Sequence, residues 1–508
     1  MRHTNIQRPP APYPATRAPR VKRRIVGLDG LRAIAAFFVL AFHLVPGVAL
    51  AGFAGVDMFF VLSGFLITSL LLEERAVHGR LDLRRFWVRR CRRLFPAVSV
   101  TVVGSAALAL MVGGDALVAL SRQALGALTA TYNWVEIAAG ASYFEQSSPL
   151  LLTNMWSLAV EQQFYLVWPL VIAAMMTWRR SRRCAVALGL GAVSVVWHAV
   201  VVNHDVSRAY MGTDSHLWGL MIGATVAFAV PHALRVTTER SRYPYLWGIA
   251  GIATFAAALV AMLLVPESFM YPWGMVCGSA AIAVTIRSLI PDVSYTGPGK
   301  MLARVLNARA LVWLGERLYG IYLWRWPLAV LMFYSFPTAD LYVSACVVLV
   351  MSVALAAVSY RYIETPIRTM GFVSWCGHLA RAFPRMRLAS QMVALLVPSL
   401  ILGSAGWAVA ASPDKSSAQL AVEAGQVSEI PMESDGVAET DPLPSASSSP
   451  EPAEARQDAP PTKGKEDSEP SYGENSRPQE PAREQEPSRE QEPSREQAPS
   501  PEQGSTPI

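Results

Sequence analysis

Long apolar runs alternate with short basic or polar stretches along the first 411 residues. A helix that crosses a bilayer needs about 20 mostly apolar residues, and eleven segments come close to that length. They lie at 31–51, 56–72, 96–113, 157–178, 184–202, 214–230, 246–265, 270–286, 311–334, 340–360 and 391–411. The pattern predicts an all-α integral membrane protein with eleven transmembrane helices, the first of them a retained span rather than a removed signal peptide.

The connecting segments differ sharply in charge. Of the 36 basic residues in the first 411 positions, 31 lie in alternate loops and only Arg122 and Arg208 lie in the intervening ones. Because basic loops stay in the cytoplasm, we expect a protein of the plasma membrane with a cytoplasmic N-terminus and an extracytoplasmic C-terminus. The long loop 114–156 is mildly amphipathic, which is typical of a helix on the outer surface.

The two ends of the chain are polar. Residues 1–24 are rich in Pro and Arg, and residues 412–508 are rich in Pro, Glu, Ser and Gln with a net charge of −13. Neither can bury a core. We predict a disordered basic cytoplasmic segment at 1–24, a transmembrane domain at 25–411 and a disordered extracytoplasmic tail at 412–508. Composition alone leaves the tail as either a spacer through the cell wall or an inert extension.

Overall composition excludes two classes of function. Long apolar stretches interrupt the basic residues, so the basic excess indicates membrane lipids as partners and not nucleic acid. Five scattered cysteines with no paired spacing indicate neither a disulfide framework nor a metal site.

Ionisable side chains inside spans are costly and therefore candidates for function. Arg32 enters the first span at its cytoplasmic end, and His43 follows 11 residues later, about 16 Å further along and about 20° from the same helix face. Four other ionisable residues share the outer half of the membrane with His43: Asp57, Glu161, Asp214 and His216. An imidazole and a carboxylate could meet there as a catalytic pair, although Asp57 and Asp214 could equally be helix-end caps.

A dense basic cluster follows the second span, at 84–93. It could anchor the protein on anionic lipid. Together with Arg32 at the same level, however, it favours a donor that carries phosphate, because guanidinium groups bind phosphates in a bidentate manner. A coenzyme A thioester has such phosphates and a long arm that could reach the imidazole.

Seven stretches in order give the sequence a family resemblance over about residues 25–370. They read GLDGLRAIAAFFVLAFH, GVDMFFVLSGFLIT, FWVRRCRRLFPA, NMWSLAVEQQFYLVWP, GTDSHLWGLMIG, LGERLYGIYLWRWPL and YIETPIR. The sequence resembles the acyltransferase 3 family of integral membrane O-acyltransferases, which includes bacterial polysaccharide and peptidoglycan O-acetyltransferases.

The resemblance implies an acyl-CoA donor, commonly acetyl-CoA, with no metal, and a hydroxyl of an extracytoplasmic carbohydrate or cell-envelope molecule as acceptor. It implies His43 as the catalytic residue, with Glu161 as the acid of its motif, and Arg90 and Arg93 as the family's Arg pair. With Arg32, we expect this pair to bind the coenzyme A phosphates, and Glu161 to orient or charge His43.

Two departures from the family pattern leave roles open. Relatives often have His where Arg325 stands and Arg where His216 stands. Many relatives also carry an SGNH-type esterase domain after the last span, where this sequence has its polar tail. We expect either direct acylation of the acceptor by the membrane domain or a separate extracytoplasmic transferase or esterase that completes the step.

Two other functions fit the buried charges less well. A transporter with an intramembrane His, Glu and Arg relay is the main alternative, but the halves of the sequence show no internal repeat. A membrane-anchored scaffold for the tail would not need His43 or Glu161, so activity that survives their removal would support it.

Overall fold

The computed structural model describes residues 24–141, 143, 148–234 and 240–425, and this part of the chain is helical without strands. The α-helices, numbered in chain order, are α1 Leu28–Leu44, α2 Gly55–His78, α3 Leu83–Val112, α4 Leu120–Thr129, α5 Tyr132–Ala138, α6 Met155–Ala174, α7 Arg180–Val201, α8 Val206–Met211, α9 Trp218–Ala229, α10 Pro244–Leu264, α11 Met275–Leu289, α12 Gly297–Leu306, α13 Arg309–Ser335, α14 Leu341–Ser359, α15 Thr365–Met370, α16 Phe372–Ala382, α17 Leu388–Ala410 and α18 Ser417–Glu423. The predicted all-α membrane fold is confirmed.

Within these described ranges, eight helices are long and apolar enough to cross a membrane, built on α2, α3, α6, α7, α10, α11, α14 and α17. The other three predicted spans are also helical, as α1, α9 and α13. Helix α1 has 17 residues because Pro46 follows it, and a residue before proline avoids helical geometry. Helix α9 has only 12 residues, and α13 is long but carries several charged side chains. Eleven crossings therefore stay a prediction.

Helix α2 is the centre of the bundle. In its most apolar stretch 83% of the residues are buried, against 11% for α17. Close packing with α9 depends on missing side chains, since a Cβ on Gly64 would collide with the backbone carbonyl of Leu220, and one on Gly223 with that of Val61. Small residues allow such close approach between membrane helices. Asp57, in the first turn of α2, therefore lies in a closely packed, buried part of the molecule.

The bundle has a basic end, which carries Arg24, Arg90 and Arg93, and an opposite end, where α1 finishes and α2 begins. At the opposite end the segment predicted to hold an amphipathic helix forms two short ones, α4 and α5. They are joined by an ion pair of 3.3 Å between Arg122 and Glu136. Burial raises the pKa of Glu136, and Arg122 opposes that rise.

The two predicted terminal segments fall mostly on residues outside the described ranges. Of the N-terminal segment 1–24 only Arg24 is described, and of the tail 412–508 only the residues up to Gly425. This first part of the tail contains α18, which begins with a Ser416 capping box and donates from Ser417 to Asp115 at 2.7 Å. Helix α18 lies within the segment 412–508, and the domain limits and the disorder of the tail stay predictions.

Candidate active site

A cavity of about 450 Å³ opens between α1, α2, α3, α6 and α13. Along α2 its lining runs from Leu70 to Val56, which corresponds to about 21 Å at 1.5 Å per residue. Since the apolar core of a bilayer is about 30 Å thick, the cavity reaches from the basic end across much of the membrane. Its shape suits a long, narrow ligand with a charged head.

The three predicted donor-binding arginines line this cavity together. Arg32 comes from α1, and Arg90 and Arg93 come from successive turns of α3. The Arg90 guanidinium lies 5.3 Å from the ring centre of Phe86, and its buried Nε atom has no hydrogen-bond partner. Among the described residues, no carboxylate forms an ion pair with Arg90 or Arg93. The cluster therefore has guanidinium groups available for an anionic ligand.

Glu161 lies in the wall of the same cavity, on α6. Its carboxylate accepts hydrogen bonds from the hydroxyl groups of Ser63 and Tyr165. It is also close enough to Arg32 and Arg90 to interact with them electrostatically. Glu161 thus offsets part of the positive charge of the arginine cluster.

His43 lies in the last turn of α1 and is not part of the cavity lining. Its Nδ1 atom lies 2.7 Å from the carbonyl oxygen of Val39, and its Nε2 atom lies 2.9 Å from the hydroxyl of Tyr143. A carbonyl only accepts, so we assign the proton of the neutral ring to Nδ1. Nε2 then accepts from Tyr143 and is placed as a base.

Tyr143 is the residue of this site that the sequence did not indicate. Its backbone N–H donates to the Ser207 hydroxyl at 2.9 Å, and its ring lies 5.7 Å from that of Trp156. Burial raises the pKa of the Tyr143 hydroxyl, an effect that Tyr322 strengthens and Arg325 opposes. Tyr143 lies in the loop 114–156, where neither a motif nor a charged pair in the sequence singles it out.

The expected contact between His43 and Glu161 does not form in the described part of the chain. The partners of His43 are Val39 and Tyr143, and those of Glu161 are Ser63 and Tyr165. Tyr143 contacts the first turn of α6 through Trp156, whereas Glu161 follows Trp156 by five residues, about 7.5 Å nearer the basic end. The two residues lie at different depths, so Glu161 belongs with the arginines.

Asp57 and His216 form a separate buried pair. His216 Nε2 lies 3.1 Å from Asp57 Oδ1, and His216 Nδ1 lies 2.6 Å from the Tyr210 carbonyl oxygen. Both side chains are almost fully buried, and the Tyr210 ring lies 5.1 Å from that of Tyr143. The pair thus supports the wall behind Tyr143, and Asp57 is not simply a helix cap.

Asp214, the remaining acidic candidate, lies at the opposite end in an ion pair of 2.7 Å with Arg208. Burial disfavours ionisation of its carboxyl, but the hydrogen bond and charge of Arg208 outweigh burial, so the pKa of Asp214 is lowered. Its surroundings are those of a surface ion pair. The described residues contain no group of three His, Cys, Asp or Glu side chains that could hold a metal.

Comparison with known proteins identifies relatives for most of the chain. Residues 25–361, about two thirds of the sequence, match the family model described as an acyltransferase domain, Acyl_transf_3. The chain is 34% identical over 371 residues to the peptidoglycan O-acetyltransferase OatA of Listeria monocytogenes, covering 71% of this chain and 58% of that protein. It is 33% identical over 387 residues to the O-acetyltransferase OatA of Staphylococcus aureus strain MRSA252, covering 75% and 63%.

The chain therefore spans about 60% of the length of these curated relatives. No solved structure matches it. The family model covers most of the cavity lining, with the three predicted donor-binding arginines and Glu161, and it also covers His43 and Tyr143. This multi-pass membrane protein belongs to the acyltransferase 3 family of integral membrane O-acyltransferases.

Proposed function

We propose that the protein transfers an acyl group, most simply acetyl, from cytoplasmic acyl-CoA to a hydroxyl of an extracytoplasmic carbohydrate. The N-terminus and the basic end then face the cytoplasm, and the opposite end faces outward at the plasma membrane. The names of the curated relatives, which are O-acetyltransferases of peptidoglycan or of unspecified acceptors, support a cell-wall glycan as acceptor.

One observation carries the proposal: the cavity runs from a cluster of arginines at the basic end to Tyr322, which lies close to the His43–Tyr143 pair. Arg32, Arg90 and Arg93 line the cavity where the phosphates of coenzyme A would enter. The lining continues to Tyr322, which lies within electrostatic reach of Tyr143, the partner of His43. The extended arm of acyl-CoA fits a cavity that is about 21 Å long along α2.

The chemistry of transfer falls to His43. Its unprotonated Nε2 atom is placed to take the proton of an attacking hydroxyl or to carry the acyl group briefly itself. The Tyr143 hydroxyl lies beside His43 Nε2 and is a second group that can carry the acyl group. Glu161 keeps the donor arginines in position through its charge, in place of the contact with His43 expected from the sequence.

The acceptor can receive the acyl group by either of two routes. Either the membrane domain acylates the glycan directly, or a separate extracytoplasmic transferase or esterase completes the step. The two routes differ in whether the purified protein alone acylates a glycan.

The proposal is tested by comparing two double variants for binding and transfer of radiolabelled acetyl-CoA in membranes that contain the full chain. Arg90→Ala with Arg93→Ala removes two cavity charges, and Arg84→Ala with Arg85→Ala removes two exposed charges from the first turn of the same helix. We expect the first variant to lose donor binding and the second to keep it. Equal binding in both would reduce the cluster to a lipid anchor and contradict the proposal.

A further inference from the structure

Arg325, near the middle of α13, is a buried cation without a counter-ion. Its side chain is 2% exposed, and neither Nε nor Nη1 has a hydrogen-bond partner. No carboxylate among the described residues forms an ion pair with it. An ionised group in such surroundings is costly, and in a membrane span it marks a functional site by default.

The guanidinium group faces the reactive pair. Its carbon lies 5.1 Å from the ring centre of Tyr322, and it is within electrostatic reach of His43 and Tyr143. The next residue, Trp326, packs its ring edge-on against His43 at 5.2 Å. Arg325 and His43 therefore share one environment, which adjoins the Tyr322 side of the donor cavity.

The backbone around Arg325 is fixed by contacts from the segment that leads into α6. Pro327 has no N–H to donate to the carbonyl of Leu323, and the side-chain amide of Asn154 donates to that carbonyl at 3.3 Å and to the Tyr322 carbonyl at 2.9 Å. The Trp326 indole donates to the Leu150 carbonyl at 2.8 Å. The guanidinium is thus held on a rigid element, as a group that stabilises a transition state must be.

We propose that Arg325 binds the oxygen of the acyl carbonyl group and stabilises the negative charge that develops on it during transfer. The inference rests on the proposed function and adds a catalytic residue to it. A permanent protein counter-ion would weaken such a role, because the guanidinium must gain its partner when the reaction occurs. The lack of one among the described residues agrees with this use.

Direct transfer conserves atoms and charge. The acceptor hydroxyl oxygen forms a bond to the carbonyl carbon, its proton passes to His43 Nε2, and the carbonyl electron pair moves to the oxygen beside Arg325. The carbonyl then re-forms, the carbon–sulfur bond breaks, and the departing thiolate takes the proton from His43. The products are an ester and coenzyme A. The developing anion also relieves the repulsion between Arg325 and the imidazolium formed during transfer.

The experiment compares Arg325→Gln and Arg325→Lys with Arg317→Gln in the full chain in lipid nanodiscs. Arg317 lies two turns earlier on α13, pairs with Glu316 and stacks on Trp313. Acetyl-CoA is the donor, an N-acetylglucosamine tetramer is the acceptor probe, and thiol release gives kcat and KM. Donor binding and thermal stability are measured on the same samples.

We expect Arg325→Gln to lower kcat by about 10²–10³-fold, as for loss of an oxyanion donor, with unchanged KM and donor binding. Lys should restore part of kcat, and Arg317→Gln should match wild type. Three results for the Gln variant would overturn the inference: an unchanged kcat, a loss of folding, or a rise in acceptor KM alone. The rise in KM would show that Arg325 binds a fixed anion. Failure of wild type to bind acetyl-CoA would instead overturn the proposed function.

Discussion

The Nε2 atom of His43 lies 2.9 Å from the hydroxyl oxygen of Tyr143, although 100 residues separate them in the chain. The Val39 carbonyl fixes the other ring nitrogen as a donor, so the imidazole presents its lone pair to a hydroxyl. A base that is already oriented in this way does not need a carboxylate partner at hydrogen-bond distance. This explains how Glu161 can lie elsewhere without loss of the base.

Replacement of His43 should therefore remove acylation. A positioned base contributes about 10²–10⁴-fold in rate, so we expect the rate of acetyl transfer by the His43→Ala variant to be lower by a factor of about 10² or more. Donor binding should persist, because His43 does not line the cavity. Near-normal transfer by a correctly inserted His43→Ala protein would show that another group acts as the base.

The role of Tyr143 can be separated from that of His43 by trapping. Incubation with radiolabelled acetyl-CoA and no acceptor should label the protein if an enzyme group carries the acyl group. Label lost in Tyr143→Phe but kept in His43→Ala would assign the carrier to Tyr143, and the reverse result to His43. An unlabelled wild type that still acylates an acceptor would show direct transfer.

The sequence predicts the shared level of the donor arginines but neither the depth of Glu161 nor the contacts of His43. Position along a span follows from residue number at about 1.5 Å per residue, so the order of residues alone places Arg32, Arg90 and Arg93 at one level. Which helix faces meet depends on close packing such as that of Gly64 on Leu220, which periodicity does not reveal. The predicted contact of Glu161 with His43 fails because the two residues lie at different depths, and Tyr143 gives no signal because the sequence next to it carries no motif and no charged pair that would single it out.

Lysine should replace the cavity arginines only in part. Arg90→Lys with Arg93→Lys keeps both charges but loses the planar group that binds phosphate oxygens in pairs. We expect acyl-CoA affinity between those of wild type and of the double Ala variant, with a steeper loss as salt concentration rises, because point charges are screened. Titration with labelled acetyl-CoA at two ionic strengths measures both effects. Full affinity in the Lys variant would exclude bidentate binding.

The Asp57–His216 pair should matter for stability rather than for chemistry. His216→Ala leaves the buried Asp57 carboxyl with the Ser279 hydroxyl at 3.3 Å as its remaining donor among the described residues, and breaking a buried pair costs about 3–5 kcal/mol. We expect a clearly lower melting temperature for this variant in detergent and partial recovery in the double variant Asp57→Ala, His216→Ala. Asp214→Asn, in the partly exposed pair with Arg208, is the control and should change little. Equal effects of all three would contradict the assignment.

Close packing of α2 on α9 gives a prediction about folding. A methyl group on Gly64 would meet the Leu220 carbonyl, and overpacking of this kind costs about 1–3 kcal/mol. Gly64→Ala should lower the yield of folded protein in a detergent-stability assay. Gly189→Ala provides the matched control, because Gly189 is also helical and a Cβ there meets nothing within 4 Å. A stable Gly64→Ala protein would mean that α2 and α9 can separate at little cost.

The orientation of the bundle can be tested at two points. The distribution of basic residues puts segment 179–183 in the cytoplasm and the end of α17 outside. A reporter that is active only in the cytoplasm should be silent when fused after Gly425, the last described residue, and active when inserted within 179–183. Reversed signals would mean that the arginine-lined end of the cavity faces outward, where coenzyme A is not supplied. Both the topology and the proposed donor route would then be wrong.

Reporter activity at both points would indicate an even number of crossings between them. The first helices to re-examine would then be α9, which is short, and α13, which carries charged side chains.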